Sequence, residues 1–394
     1  MAYYKQEMIK NSVIIIPNIS NEDQVCDFLM QTKKVLDKHN FVYIVDFFGS
    51  QTLKDFFKKN TYGSEVKYLR PIDFLPLKRF KFVNDLNKLL YFYFLQIHLS
   101  IKHRTLKNFY IWMFFPQLIN SIKLKLPNWK VIFDIVDFHT SNNSILNTIL
   151  DQNKKYLLKK SDYIFVISNS LLKKYKNFVK DKNIKLKTEI KLVPQGFDSE
   201  SFSKQNLKSK IIFPKGKPII GFIGQISERL DFDLISNLVK GNLNYNFVFI
   251  GPKHHESNVP ENNLHKATFA ELCEQSNFFY YGKQSRNTIA SMINNFDICT
   301  IPYDVSFDFN KYSYPMKMFE YFYVGKPVLT TPIKELERFS DFVKIGKNSK
   351  DWESSIRDLL SKPWPTEKIL KQREIALENS WENKLEKIYE FIKK

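Results

Sequence analysis

The chain has 394 residues, 43% hydrophobic and 26% charged, a globular composition at a length that favours two domains over one core. A formal net charge of +19 and a pI of about 9.4 draw such a surface to polyanions: nucleic acid, anionic lipid or phosphorylated ligands. Cys26, Cys273 and Cys299 lie far apart and imply no disulfide framework, and zinc-finger and RNP-like patterns are missing. The start, MAYYKQEMIKNS, lacks an apolar stretch of signal length, and no run of about 18 uncharged apolar residues marks a spanning helix. The expected location is therefore cytoplasmic, with a peripheral place on the inner face of the plasma membrane left open.

Ser12 to Ile16 reads as the first strand, Glu22 to Lys38 as a helix, Phe41 to Phe48 as the next strand and Ser50 to Asn60 as another helix. Strand followed by helix, repeated, predicts an α/β sheet. A G-x-G-x-x-G run follows neither strand, so the dinucleotide fingerprint is absent here. Tyr68 to Arg104 interleaves bulky apolar residues with Arg70, Lys78, Arg79, Lys81, Lys88 and Lys102. Such a stretch either lies at a lipid interface or forms a core helix with a solvated basic face.

Asn108 to Phe115 and Lys130 to Val136 read as buried parallel strands. Asp134, Asp137 and His139 fall at or just past the end of the second, where a parallel sheet opens its ligand crevice. Two carboxylates and one histidine are a weak metal set. His139 is read instead as a donor to substrate hydroxyls or phosphate, or as an ordinary loop histidine. Leu157 to Leu172 holds a helix end, a strand from Tyr163 and a polar turn, Ser168-Asn169-Ser170, suited to capping the next helix. Ile190 to Phe202 ends the first domain, Gly196 permitting close approach or positive φ, and the Lys-rich run from Ser203 to Lys210 reads as a linker.

Pro218 to Gly224 is a strand running into glycine, Gln225 to Leu230 a loop, and Asp231 the start of a helix whose N-terminus favours phosphate. Further strands are Tyr245 to Ile250, Asn277 to Gly282, and Phe296 to Ile301 closed by Pro302-Tyr303. The adjacent His254 and His255 lack ligand partners at helical spacing. In Tyr314 to Pro332, YPMKMFEYFYVGKPVLTTP, Pro315 opens a helix, Lys317 and Glu320 share a face, and Met316, Phe319, Tyr323 and Val324 supply a buried side. Gly325 caps the helix, and Val328-Leu329 is an interior strand. The reading is a helix that shows a cation and a carboxylate to solvent beside a sheet edge. Phe342 to Ile345, Ser349 to Leu360 and Ser380 to Ile392 complete the chain as strand, helix and final helix.

The stretch from Pro315 to Val328 resembles the nucleotide-sugar-binding segment of retaining GT-B glycosyltransferases of family 4, P-x-K-x-x-E-Y-x-x-x-G-K-P-V. Leu157 to Leu172 and Val193 to Phe202 are similar to further family motifs, with Gln195 in place of the usual Asn. The family's Gly-Arg after the first strand of the second domain is here Gly224-Gln225, with Arg229 near the position of a following Lys. The first of the family's two glutamates has no clear counterpart among Asp304, Asp308 and Asn310.

The resemblance implies two Rossmann-like doubly wound parallel-sheet domains facing across a cleft. An acceptor-binding domain would cover 1–205 and a nucleotide-sugar-binding domain 206–375, with 376–394 crossing back to the first. It implies Arg229 and Lys317 on the donor diphosphate, Glu320 on the ribose, and Gly224, Gly282 and Tyr303 around the nucleotide. His139, Arg229 and Lys317 would be catalytic, with Asp137 and Gly196 on the acceptor side. The implied reaction moves a sugar from a nucleotide diphosphate sugar to a hydroxyl of a cell-envelope glycan or lipid-linked acceptor, with retention. It needs no cofactor and no metal. The implied partners include an anionic membrane surface and no nucleic acid. The alternative is a catalytically degenerate GT-B-like module that binds a glycan, a polyanion or a partner glycosyltransferase.

Overall fold

The computed structural model describes residues 9–19, 27–47, 68–141, 143–203, 211–253 and 264–393. The Ser50 to Asn60 helix, His254-His255 and most of the linker run expected above lie outside the described residues. The chain divides into two compact units, Met1–Pro194 with Trp381–Lys394, and Gln195–Ser380. The sequence reading placed the division near residue 205.

The first unit holds β1 (Ser12–Asn18), β2 (Phe41–Asp46), β3 (Tyr68–Leu69), β4 (Asn108–Met113), β5 (Trp129–Ile135), β6 (Tyr163–Val166) and β7 (Ile190–Leu192). They form one parallel sheet in the order β3-β2-β1-β4-β5-β6-β7. Every residue of β1 is buried, as expected of a central parallel strand covered on both faces. The helix Asn169–Asp181 starts where the polar turn predicts, with the Ser168 side chain accepting from the Leu171 amide.

The basic stretch contributes one 22-residue helix, Lys81–Lys102, that buries Tyr91, Phe92, Leu95 and Leu99. Core packing therefore holds one face of it. Ahead of and within its first turn, Leu77, Phe80 and Phe82 stand exposed among Lys78, Arg79 and Lys81. No helix among the described residues is long and apolar enough to cross a membrane.

The helix Trp381–Lys393 belongs to the first unit, and Lys384 fastens it there. Its ammonium lies 2.9 and 3.2 Å from the two carboxylate oxygens of Asp134. Both side chains are essentially without solvent exposure. Asp134 is thus part of β5 and satisfied within the core, not a group at the ligand edge as its position near the strand end suggested. Burial pushes the Lys384 ammonium below its ordinary value, and the Asp134 charge acts against that shift.

In the second unit, β8 (Ile219–Ile223), β9 (Asn246–Ile250), β10 (Phe278–Tyr280), β11 (Ile298–Ile301), β12 (Val328–Thr330) and β13 (Val343–Ile345) form a parallel sheet. Its order, β10-β9-β8-β11-β12-β13, runs outward in both directions from β8 and β11. That reversal creates a switch point at their carboxyl ends, where open α/β sheets bind ligands.

The Lys317–Val324 helix ends as predicted, Gly325 at φ 82° donating to the Tyr321 and Phe322 carbonyls. Its buried set is Met318, Phe319, Glu320, Tyr321 and Phe322, while Met316, Tyr323 and Val324 are half-buried. The reason is a second neighbour that the sequence reading missed, the helix Thr366–Glu378. Arg373 Nε donates to the Tyr323 carbonyl at 3.1 Å, and Gln372 Nε2 to that of Lys326 at 3.0 Å.

Removing one partner of a buried pair strands the other charge, at about 3–5 kcal/mol, whereas replacing both by apolar residues is often neutral. Lys384→Ala is therefore expected to lower the denaturation midpoint of the first unit sharply, and Lys384→Met with Asp134→Leu to recover most of the loss. Denaturant unfolding of the three proteins checks this.

Candidate functional site

Three neighbouring strands of the second sheet end on glycines in left-handed or glycine-specific backbone: Gly224 (φ 156°), Gly251 (φ 147°) and Gly282 (φ 62°). Gly224 donates to the Ile250 carbonyl and Gly251 to that of Gly282, each at 2.9 Å. A Cβ on Gly251 would lie 1.9 Å from the Gly224 carbonyl oxygen. One on Gly224 would lie 2.9 Å from Lys317 Cε and 3.1 Å from its Nζ. Glycine at these positions lets the Lys317 ammonium rest directly over the end of β8.

The loop after Gly224 is pinned to the end of β11. Leu230 forms an antiparallel bridge with Tyr303, the Asp231 amide donates to the Pro302 carbonyl, and the Asp304 amide donates to that of Arg229. Asp231 then caps the Phe232–Gly241 helix by accepting from the Leu234 amide at 2.8 Å. Arg229 is thereby brought to Tyr303. Its guanidinium carbon lies 4.4 Å from the Tyr303 ring centre and 4.5 Å from that of Phe309.

Lys317 reaches the same ring from the other loop. Its ammonium lies 4.7 Å from the Tyr303 ring centre, 5.3 Å from that of Phe222, and donates to the Tyr303 hydroxyl. Among the described residues neither Arg229 nor Lys317 has a carboxylate within ion-pair distance. Burial would raise the Tyr303 phenol, but the charges of Lys317 and Arg229 outweigh it and hold the phenol below its ordinary value. Two half-buried cations thus converge on one buried phenol at the switch point, a concentration of positive charge able to take a polyanion.

Glu320 behaves otherwise. It is only 6% exposed, not turned to solvent as its spacing from Lys317 suggested, and Arg286 Nη2 lies 2.8 Å from its Oε1. Arg286 also has Nε 3.9 Å from Asp198. Sequence reasoning missed Arg286: it stands in a polar turn just after β10, and only the sheet order carries it to Glu320. Asn310, read only as a weak stand-in for a missing glutamate, is fully buried against Arg229.

Three further candidates come from the first half of the sequence. His139 follows β5 with φ 32°, its ring 5.9 Å from that of Phe115. Its Nε2 is buried without a hydrogen-bond partner among the described residues. Burial lowers the imidazole below its ordinary value against the raising effects of Asp137 and a hydrogen bond to the Phe114 backbone, and Lys154 adds to the lowering. Asp137 is half-buried and accepts from the Phe138 amide at 2.6 Å. Gly196 is buried within the second unit and is not among the positive-φ glycines, so the backbone there needs no glycine-specific conformation. Among the described residues, no group of three or more His, Cys, Asp and Glu is placed to hold a metal ion.

Residues 203–376 match the family described as Glycosyl transferases group 1. A relative from Bacillus subtilis, "Putative teichuronic acid biosynthesis glycosyltransferase TuaH", is 26% identical over 230 residues, 56% of this chain and 55% of that protein. The chain thus spans about half the length of the curated relative it matches. Among solved structures it is similar to the sucrose-phosphate synthase of Thermosynechococcus elongatus, with a TM-score of 0.67 and 11% identity over 97% of this chain and 98% of that one. Anabaena Alr3699/HepE in complex with UDP and glucose is also similar, with a TM-score of 0.64 and 10% identity over 96% of this chain and 99% of that one. Two switch-point sheets and these likenesses define a GT-B protein. Within that fold, residues 203–376 carry the likeness to Glycosyl transferases group 1, and the relative is by its name a glycosyltransferase.

Gly251→Ala is expected to cost about 1–3 kcal/mol or more, because it combines a strained φ with a backbone clash. Gly241→Ala, in a helix end with its nearest neighbour at 3.7 Å, serves as the tolerated control. Denaturant midpoints for the second unit compare the two.

Proposed function

We propose that the chain transfers a sugar from a nucleotide diphosphate sugar to a hydroxyl of a cell-envelope glycan or lipid-linked acceptor, with retention of configuration. One observation carries the donor half: Arg229 and Lys317 meet at Tyr303 with no carboxylate partner among the described residues. In a sugar transfer the leaving diphosphate gains charge as the glycosidic bond breaks. Fixed cations aimed at that charge stabilise the transition state more than the ground state. Gly224 and Gly282 leave backbone open to the nucleotide. Glu320, held by Arg286, presents its carboxylate to the ribose hydroxyls as a positioning group. The neutral His139, with Asp137 beside it, is assigned to the transferred sugar or acceptor, and Gly196 to the acceptor side. Retention rests on the family resemblance. The acceptor class rests on the relative named for teichuronic acid biosynthesis and on the membrane reading below.

The membrane reading is supported by the basic, aromatic start of the Lys81–Lys102 helix, where Phe82 is 77% exposed and Phe80 52%. Aromatic side chains enter the interface while neighbouring lysines and arginines meet anionic headgroups. The protein would then work at the cytoplasmic face of the plasma membrane. The second reading, a degenerate binding module, is favoured by the Arg286–Glu320 ion pair, which already occupies the carboxylate expected to receive ribose.

Calorimetry with UDP, GDP, ADP and CMP decides between the readings. The wild type should bind one nucleoside diphosphate preferentially. Loss of a charge-assisted hydrogen bond should make Glu320→Ala roughly 10- to 100-fold weaker. Arg229→Ala and Lys317→Ala should lower turnover more than nucleoside affinity. No nucleotide binding by the wild type would favour the degenerate module.

Co-sedimentation with anionic and neutral vesicles tests the membrane reading. Binding should be selective for anionic vesicles, fall with salt, and weaken in Phe80→Ser with Phe82→Ser. Equal binding to both vesicle types would defeat the electrostatic part.

A further inference from the structure

We propose that Asn310 is a positioning residue of the donor site, a neutral amide that fixes Arg229 while leaving its positive charge uncompensated for a nucleoside diphosphate. This rests on the donor-site reading above and adds how the site keeps its charge.

Asn310 lies in the short Asp308–Lys311 helix and is 1% exposed. Its Oδ1 accepts from Arg229 Nε at 2.9 Å, while its Nδ2 donates to the backbone carbonyls of Arg229 at 3.1 Å and Asp304 at 2.9 Å. One side chain therefore holds both the guanidinium and the loop that carries it. Among the described residues this is the sole hydrogen bond made by the Arg229 side chain, so the terminal nitrogens keep their donors.

A partly buried arginine is ordinarily matched with a carboxylate. Here the partners are an amide and the faces of Tyr303 and Phe309, which attract a cation without cancelling its charge. Lys317 follows the same rule, with a phenol for its partner. Aspartate has the shape of asparagine and would reach the same Nε, but it would form an ion pair and lower the positive potential at the switch point. Identity at position 310 thus sets the field at nearly constant side-chain shape, although aspartate cannot make the two Nδ2 donations.

The test uses the full chain, with UDP, GDP and ADP and their nucleosides as calorimetric probes, and thermal melting alongside. Asn310→Asp gains an ion pair to Arg229 but loses both Nδ2 donations to backbone carbonyls, so it should melt below the wild type, with Asn310→Ser, which loses the same donations, as its stability control. Asn310→Asp should bind the preferred diphosphate at least about 10-fold more weakly, with nucleoside binding unchanged. Asn310→Ser adds no charge and cannot hold the guanidinium. It should weaken the diphosphate by less than Asn310→Asp does, again sparing the nucleoside. A merely structural role would lower diphosphate and nucleoside binding together in both variants. That pattern, or wild-type diphosphate affinity in either variant, overturns the proposal. A wild type that binds diphosphate no better than nucleoside removes the donor-site reading itself, and this inference with it.

Discussion

The fold of the second unit brings two cations to one buried phenol. Like charges so close repel, and nothing among the described residues neutralises Arg229 or Lys317. They are held because their surroundings are aromatic faces, a phenol oxygen and an amide, all attractive to a cation and none charged. The two cations hold the Tyr303 phenol below its ordinary value against the opposing effect of burial, so the site is positive before any ligand arrives. Pre-set charge of this kind needs no reorganisation when it meets an anion.

The rest of the second unit serves that placement. The reversal of strand order between β8 and β11 brings the two loops together. Glycines at the strand ends admit the lysine and let the backbone turn within contact distance of itself. The Thr366–Glu378 helix covers the far side of the Lys317–Val324 helix and fixes which face is inward. In the first unit a different device closes the fold: the Lys384–Asp134 pair joins residues 250 positions apart and docks the last helix onto the sheet.

Local rules carried much of this in the sequence. Gly325 as a left-handed cap, Ser168 as an N-cap and the alternation of strand and helix all follow from residues within a few positions of each other. In Tyr314 to Pro332 the helix, its glycine cap and the strand were legible because each is set by neighbours in the chain. What escaped was set by long-range pairing. Glu320 looked solvent-facing because its partner, Arg286, lies 34 positions earlier in an undistinguished turn. Asp134 looked like a ligand residue because its lysine partner is in the final helix. The Thr366–Glu378 helix was hidden by Pro363-Trp364-Pro365, read as a break, although proline is tolerated where a helix begins.

The central claim is an uncompensated positive site around Tyr303, and its phenol is the reporter. With ¹³C-labelled tyrosine assigned by Tyr303→Phe, NMR titration follows that one phenol with and without bound nucleoside diphosphate. Cations favour the phenolate, so Tyr303 should ionise below the ordinary tyrosine value of 10.0 in the free protein. A bound diphosphate neutralises those cations, so the phenol should then ionise at higher pH. A Tyr303 that titrates above the ordinary value and does not respond to diphosphate would contradict the account.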